Sequence, residues 1–144
     1  MLAETIAVDY PSDGPVGPGR QKVFRSRFDT EATVTALEEA IAAADLWLVA
    51  KLDPKMLLAK GGYTIRPARQ LFYFHPRYMS RLLAANPAGI VEAPLKLVVL
   101  EGTDGSVTVR HPDIAVAFGV YPGLADLAAD LEVVTAQILA SVVN

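Results

Sequence analysis

Two long stretches of the chain repeat apolar residues at intervals of three and four, the spacing that places side chains on one face of an α-helix. The first apolar stripe consists of Val34, Leu37, Ile41 and Ala44. The second begins after Pro122 and consists of Leu124, Leu127, Leu131, Val134, Ile138 and Val142. We therefore predict two long amphipathic helices, each with one face against a core.

Five shorter segments have the alternation or the β-branched and aromatic composition of strands. These segments are Gln21–Phe28, Leu46–Leu52, Arg69–His75, Leu95–Glu101 and Val107–His111. The pair Asp104–Gly105 predicts a hairpin between the last two, because glycine accepts the positive φ of a tight turn at little cost. Short helices are predicted after Asp53 and after His75, since the proline that follows each of them suits the first helical position.

The order strand, long helix, four strands and long helix predicts a two-layer α+β domain. We expect a largely antiparallel sheet with both long helices on one face and short helices inserted between the strands. Residues 1–20 contain three prolines and three glycines without apolar periodicity, which predicts a flexible N-terminal arm. Residues 21–144 are predicted to form a single domain.

The composition adds an expectation about assembly. The 144 residues are 52% hydrophobic, with a mean hydropathy of +0.32, which is high for a soluble monomer. We predict that the uncovered sheet face, with residues such as Phe24, Trp47 and Phe72, is buried against a second copy in a homodimer. No apolar run is long enough to span a membrane, and the N-terminal residues lack the order of a signal peptide. The expected location is cytoplasmic.

Several kinds of site are excluded by residue types. The chain has no cysteine and two histidines, so thiolate chemistry and a structural zinc site are not expected. We predict no metal site and no cofactor, because the pair Gly61–Gly62 lacks the spacing of a nucleotide-binding loop. The net charge of −3 argues against nucleic-acid binding, which depends on a basic surface.

The charge is nevertheless uneven along the chain. Between Lys51 and Arg81 there are seven basic residues and one acid, Asp53, and such a local excess is typical of a site for an anion. Arginine offers a planar fork that suits a carboxylate or a phosphate. We predict a small anionic ligand. The candidate binding residues are Arg66, Arg69, Tyr73, His75 and Arg77.

His75 also supports an alternative in which the protein is an enzyme. Its ordinary pKa suits proton transfer at neutral pH, and Tyr73 lies on the same face if the strand is regular. In that hypothesis His75 is the general acid or base, and Tyr73 or Tyr78 assists. The opposing interpretation is structural: His75 bonds the turn at the strand end, and Pro76 sets the first helical φ.

Three further interpretations stay open. Arg66 can pair with Glu38 or Asp53 rather than with a ligand. The segment His111–Asp113 resembles a second strand exit with a capping aspartate, and we interpret it as structural. A third function is a protein-interaction module, in which the apolar sheet face is itself the binding surface.

Four sequence runs, in this order, resemble a known family. They are "LEEAIAAADLWLVAKLD", "IRPARQLFYFHPR", "LLAANPAGIVEAPLKLVVLEGTDGSVTV" and "HPDIAVAF". Over about Phe24 to Val143 the chain resembles the uncharacterised family catalogued as domain of unknown function 302. The resemblance implies an α+β fold with a TATA-binding-protein-like topology, usually a homodimer, and no established activity. It does not imply DNA binding, because function depends on the site rather than on the fold.

Two positions depart from the family pattern. Members often have Asp-His where this chain has Asp53–Pro54, and Gly-Asn-Pro where it has Phe74-His75-Pro76. Any role that depends on the Asp-His pair is therefore in doubt here. A histidine in place of a turn asparagine also fits a structural hydrogen bond.

Overall fold

Seven strands are present in the computed structural model, which describes residues 4–143. They are β1 (Ile6–Ala7), β2 (Gln21–Arg25), β3 (Trp47–Leu52), β4 (Tyr63–Thr64), β5 (Ala68–Phe74), β6 (Leu95–Glu101) and β7 (Val107–Pro112). The five longer strands form one antiparallel sheet in the order β2–β7–β6–β5–β3. The predicted α+β class with a largely antiparallel sheet is confirmed.

Within residues 4–143, five helices and one 3₁₀ segment accompany the strands. They are α1 (Thr30–Ala43), α2 (Pro54–Lys60), α3 (Pro76–Ala85), the 3₁₀ segment Pro87–Glu92, α4 (Ile114–Gly119) and α5 (Ala125–Leu139). The side chains of Asp29, Asp53 and Asp113 each accept a hydrogen bond from a backbone N–H in the first turn of the helix that follows. These bonds satisfy N–H groups that have no partner within the helix.

The sheet has a covered and an open face. Along β6, Leu95, Leu97 and Val99 are buried, whereas Lys96 and Val98 are half-buried. The buried set belongs to one hydrophobic core that also contains apolar side chains of α1 and α5. Successive strand residues point to opposite faces, so the two long helices cover one face and leave the other open.

Phe24 does not lie on the open face, contrary to the prediction. It pairs in register with Val109, a fully buried core residue, and its ring stacks on His111 at 6.0 Å. Because residues opposite each other in paired strands share a face, Phe24 faces the helices. Trp47 pairs with Phe74 at the opposite edge and is 57% exposed.

The described part of the N-terminal arm, residues 4–20, contacts the domain at several places along its length. The N–H of Ile6 donates to the Gly62 carbonyl at 2.8 Å, and β1 pairs with β4. The Ser12 hydroxyl lies 2.6 Å from that of Thr103. Farther along, Asp13 pairs with Arg110 at 3.3 Å. The flexibility of the arm stays a prediction.

Candidate functional site

Arg66 holds the N-terminal arm against the sheet. Its Nε donates to the Glu101 carbonyl at 3.1 Å, and its Nη1 donates to the Asp9 carboxylate at 3.2 Å. Nη2 donates to the Tyr10 carbonyl, and the guanidinium carbon lies 3.9 Å from the centre of the Tyr10 ring. Every nitrogen of the fork therefore has an acceptor within the protein.

Arg69 is similarly occupied. Its Nη1 donates to the Asp53 carboxylate at 3.1 Å, and its Nη2 donates to that of Glu31 at 2.8 Å. Asp53 thus caps α2 and pairs with Arg69, not with Arg66, while Glu38 pairs with Lys51 at 2.7 Å. The charge of Arg69 is therefore balanced by two carboxylates of the protein itself.

Arg77 binds the C-terminal end of α1. Its guanidinium donates to the carbonyls of Asp45 and Ala44 and lies 4.7 Å from the centre of the Tyr78 ring. The last carbonyls of a helix have no intrahelical partner, and Arg77 supplies one. Asp45 has a φ of 58°, so this contact stabilises a left-handed residue that ends the helix.

His75 caps the start of α3. Its Nδ1 accepts a hydrogen bond from the Arg77 N–H at 3.0 Å, and Pro76 is the first residue of the helix. The ring packs edge-on against Trp47, with the ring centres 5.2 Å apart. His75 therefore makes the hydrogen bond that the structural interpretation expects.

Tyr73 points the other way, into the core. It is 1% exposed, and its hydroxyl lies 2.7 Å from that of Thr135. Burial raises the pKa of Tyr73 far above its usual range, although the bond to Thr135 opposes the shift. The strand ends at Phe74, so the regular alternation that would place Tyr73 beside His75 stops before His75. The tyrosine and the histidine do not meet.

An apolar groove lies next to His75. We call it the Trp47 groove, and its walls include Trp47, Val49, Phe74, His75, Met79 and Pro94. Trp47 and Val49 are half or more exposed, and no acidic residue, lysine or arginine lines the groove among the described residues. The chemistry of this surface favours apolar contact.

A second concave surface gathers cations that the sequence analysis did not select. We call it the cationic pocket. It has a volume of about 250 Å³, and its walls include Arg20, Gln21, Lys96, Val98, Arg110 and His111. Three of these side chains are cationic, and no acidic residue lines the pocket within the described part of the chain. Like charges in one cavity repel each other, so the pocket favours an anion.

The three cations differ in how they are held. Arg110 is largely buried; it donates to Thr108 at 3.0 Å and pairs with Asp13 at 3.3 Å. Its Nε is buried without an acceptor among residues 4–143, which is uncommon for a charged donor. Arg20 and Lys96 make no ion pair within the same residues. Two of the three cations are thus free to meet a ligand.

His111 forms part of the wall between the cationic pocket and a second cavity. The ring is 6% exposed, and its Nδ1 lies 2.8 Å from the Pro112 carbonyl. A carbonyl can only accept, so Nδ1 carries the proton. Burial lowers the pKa of His111, although the bond to the Pro112 carbonyl opposes this effect. At neutral pH the ring is therefore uncharged.

The sequence profile of the domain of unknown function DUF302 matches residues 22–142, which is most of the chain. The chain belongs to the DUF302 family. A crystal structure of an uncharacterized conserved DUF302 protein from Bacillus stearothermophilus superimposes with a TM-score of 0.78 and 22% identity. The superposition covers 85% of this chain and 97% of that chain, so the two share a fold. No curated protein matches the chain.

No helix of this DUF302 chain within residues 4–143 is long and apolar enough to cross a membrane. Over the same residues, no three histidine or acidic side chains come together in a group that would hold a metal ion.

Proposed function

We propose that this DUF302 protein is a cytoplasmic homodimer that binds a small anionic ligand, with no reaction assigned to it. The observation that carries the ligand part is the cationic pocket, where Arg20, Lys96 and Arg110 converge without a lining acid. A guanidinium and an ammonium beside each other are typical partners of phosphate and carboxylate groups. The proposed ligand is still an anion, as expected from the sequence, but the residues proposed to bind it are now those of the cationic pocket.

The reassignment follows from the contacts of the arginines selected from the sequence. Arg66, Arg69 and Arg77 donate their hydrogen bonds to carboxylates and carbonyls of the protein. A ligand that binds any of these arginines would have to replace existing hydrogen bonds, so the net free energy of binding would be small. Lys96 makes no ion pair with another described residue that a ligand would have to replace.

The enzyme alternative has less support. It needs His75 within hydrogen-bond reach of a tyrosine in a cleft, and His75 does line the Trp47 groove. However, the Tyr73 hydroxyl bonds Thr135, and His75 uses Nδ1 as a helix cap. The geometry supports binding better than proton transfer.

The homodimer is supported by a difference between the two edges of the sheet. The edge strand β2 carries Lys22 and Arg25, which make no ion pair within residues 4–143, whereas Lys51 of the opposite edge strand β3 pairs with Glu38. Unpaired charged side chains discourage pairing with another chain. The opposite edge carries an exposed apolar surface next to the Trp47 groove. Its members are Trp47, Val49, Leu52, Met56 and Leu57, all exposed by between 41% and 57%.

A second copy suits this surface better than a charged partner does. In a two-fold dimer each patch meets the same patch of the other subunit, and a patch without charge meets itself without repulsion. The groove is uncharged apart from its histidine, and burying several apolar side chains favours association. We therefore assign the Trp47 groove to the dimer interface.

Light scattering coupled to size-exclusion chromatography tests the dimer. Wild type is expected to elute as a dimer at micromolar concentration, and Val49→Asp as a monomer, because burying an unpaired carboxylate is costly. The matched control is Val23→Asp, at a 44% exposed position on the opposite edge strand, which should stay dimeric. A monomeric wild type would refute the assembly.

Titration calorimetry with inorganic phosphate tests the ligand part. Lys96→Met should weaken phosphate binding by about tenfold or more, the usual effect of one charged hydrogen bond. The control Lys51→Met removes a lysine that already pairs with Glu38, so it should bind as wild type does. Equal losses in both variants would contradict the site.

A further inference from the structure

The cationic pocket opens beside a larger cavity. The second cavity, which we call the adjoining cavity, has a volume of about 350 Å³ and shares Lys96, His111 and Pro112 with the cationic pocket. An inorganic ion would occupy the cationic pocket alone. A larger ligand bound there could extend past the shared wall into the adjoining cavity.

Most of the residues that line the adjoining cavity are apolar. Its walls include Phe72, Pro94, Ile114, Ala117 and Phe118, and Ile114 and Phe118 belong to the hydrophobic core. Of the cationic pocket's three cations, only Lys96 also reaches this cavity. Small-molecule sites combine a mostly apolar wall with a few polar groups that set orientation, and their volumes lie in this range.

His111 and Glu92 determine which end of a ligand lies in the adjoining cavity. His111 is uncharged at neutral pH, so it adds no attraction for an anion inside the adjoining cavity. Glu92 lines this cavity, and its Oε2 accepts a hydrogen bond from the Tyr121 hydroxyl at 2.6 Å. Its carboxylate repels a negative group there. An anionic end is therefore favoured in the cationic pocket rather than in the adjoining cavity.

We propose that the ligand is an amphipathic organic anion, with its phosphate or carboxylate group among Arg20, Lys96 and Arg110 and its apolar body in the adjoining cavity. This inference rests on the proposed function and narrows its ligand class. Lys96 and Pro112 lie at the junction of the two cavities, so the bond between head group and body passes over them. A second negatively charged end in the adjoining cavity would be disfavoured by Glu92.

Calorimetry with matched probes tests the ligand class. Phenyl phosphate should bind about tenfold more tightly than inorganic phosphate, because the ring removes apolar surface from water. Benzoate and phenyl phosphate carry the same ring with different head groups, so the tighter of the two identifies a carboxylate or a phosphate ligand.

A cavity-filling variant locates the ring. Ala117→Leu places extra atoms in the wall of the adjoining cavity, so it should abolish the advantage of phenyl phosphate and leave inorganic phosphate binding unchanged. Ala115→Leu is the control, because Ala115 is an exposed residue of the same helix that does not line the cavity. Circular dichroism confirms that both variants are folded.

The possible failures are distinguishable. If neither phenyl phosphate nor benzoate binds more tightly than inorganic phosphate, or if phenyl phosphate keeps its advantage in Ala117→Leu, the amphipathic ligand is wrong while the anion pocket stands. If inorganic phosphate, phenyl phosphate and benzoate all fail to bind at millimolar concentration, the proposed function fails with it.

Discussion

The hydroxyl groups of Tyr73 and Thr135 lie 2.7 Å apart in the core, where each side chain is 1% exposed. The pair joins β5 to α5, and each hydroxyl is the other's partner. A buried polar group that loses its partner costs more than the bond itself contributes. This pair is therefore a structural link between the sheet and the helical layer.

Replacing Tyr73 with phenylalanine should lower the free energy of unfolding by about 1–3 kcal/mol, because the Thr135 hydroxyl is left buried and unpaired. Urea denaturation measures the change. Adding Thr135→Val to Tyr73→Phe should recover part of the loss. Tyr63→Phe, at a 43% exposed position, is the control and should be close to neutral; an equal loss there would contradict the link.

Two substitutions of His75 test its role as a helix cap. His75→Ala should lower the free energy of unfolding by about 1 kcal/mol, the usual cost of losing a capping side chain. His75→Asn keeps an acceptor for the Arg77 N–H and restores the residue common in the family, so it should match wild type. Should asparagine be as harmful as alanine, the ring contact with Trp47 would be the important one.

Arg77→Ala should destabilise the fold by about 1 kcal/mol, since the final carbonyls of α1 lose their donor. Thermal and urea unfolding report the effect. Arg81 is the comparison: its Nη1 pairs with Asp130 at 2.8 Å on an exposed surface, and Arg81→Ala should cost less than about 0.5 kcal/mol. Phosphate affinity should be unchanged in both variants, because neither residue lines the cationic pocket.

Stability should depend on pH through His111. Its pKa in the folded protein is below the ordinary 6.5, so the unfolded chain takes up the proton first. The stabilisation from the neutral ring is therefore complete above about pH 6.5 and is lost as the pH falls toward the folded-state pKa. Urea titrations at several pH values measure this slope.

The control for that measurement is a variant without the imidazole of His111. His111→Gln should flatten the slope below about pH 6.5, because the titrating group is removed. An unchanged slope in His111→Gln would assign the acid sensitivity to other groups.

Much of the fold followed from periodicity. The spacing of Leu127, Leu131 and Ile138 predicted α5, and Asp104–Gly105 predicted the hairpin between β6 and β7, as found. The two-residue strands β1 and β4 were not predicted, because so short a segment has no periodic pattern. The position of Phe24 was also wrong, since the face of an edge strand depends on its register with β7.

The candidate site was harder to predict for a physical reason. Arg66, Arg69 and Arg77 are close in sequence, but each meets a different set of protein acceptors. The cations of the pocket come from three distant segments, which become neighbours only through the strand order β2–β7–β6. Part of the pocket could have been predicted from the hairpin. Its register pairs Val98 with Arg110, and Lys96 lies two residues before Val98 on the same face of the sheet.

Pro94 lies in the wall of both the Trp47 groove and the adjoining cavity. A subunit seated on the groove would therefore touch the residue that also bounds the ligand's apolar body. Whatever free energy the ligand adds to dimerisation, dimerisation must add to ligand affinity. We expect phenyl phosphate to bind the monomeric Val49→Asp variant with a different affinity from wild type, and the dimer to dissociate at a different protein concentration once the ligand is present.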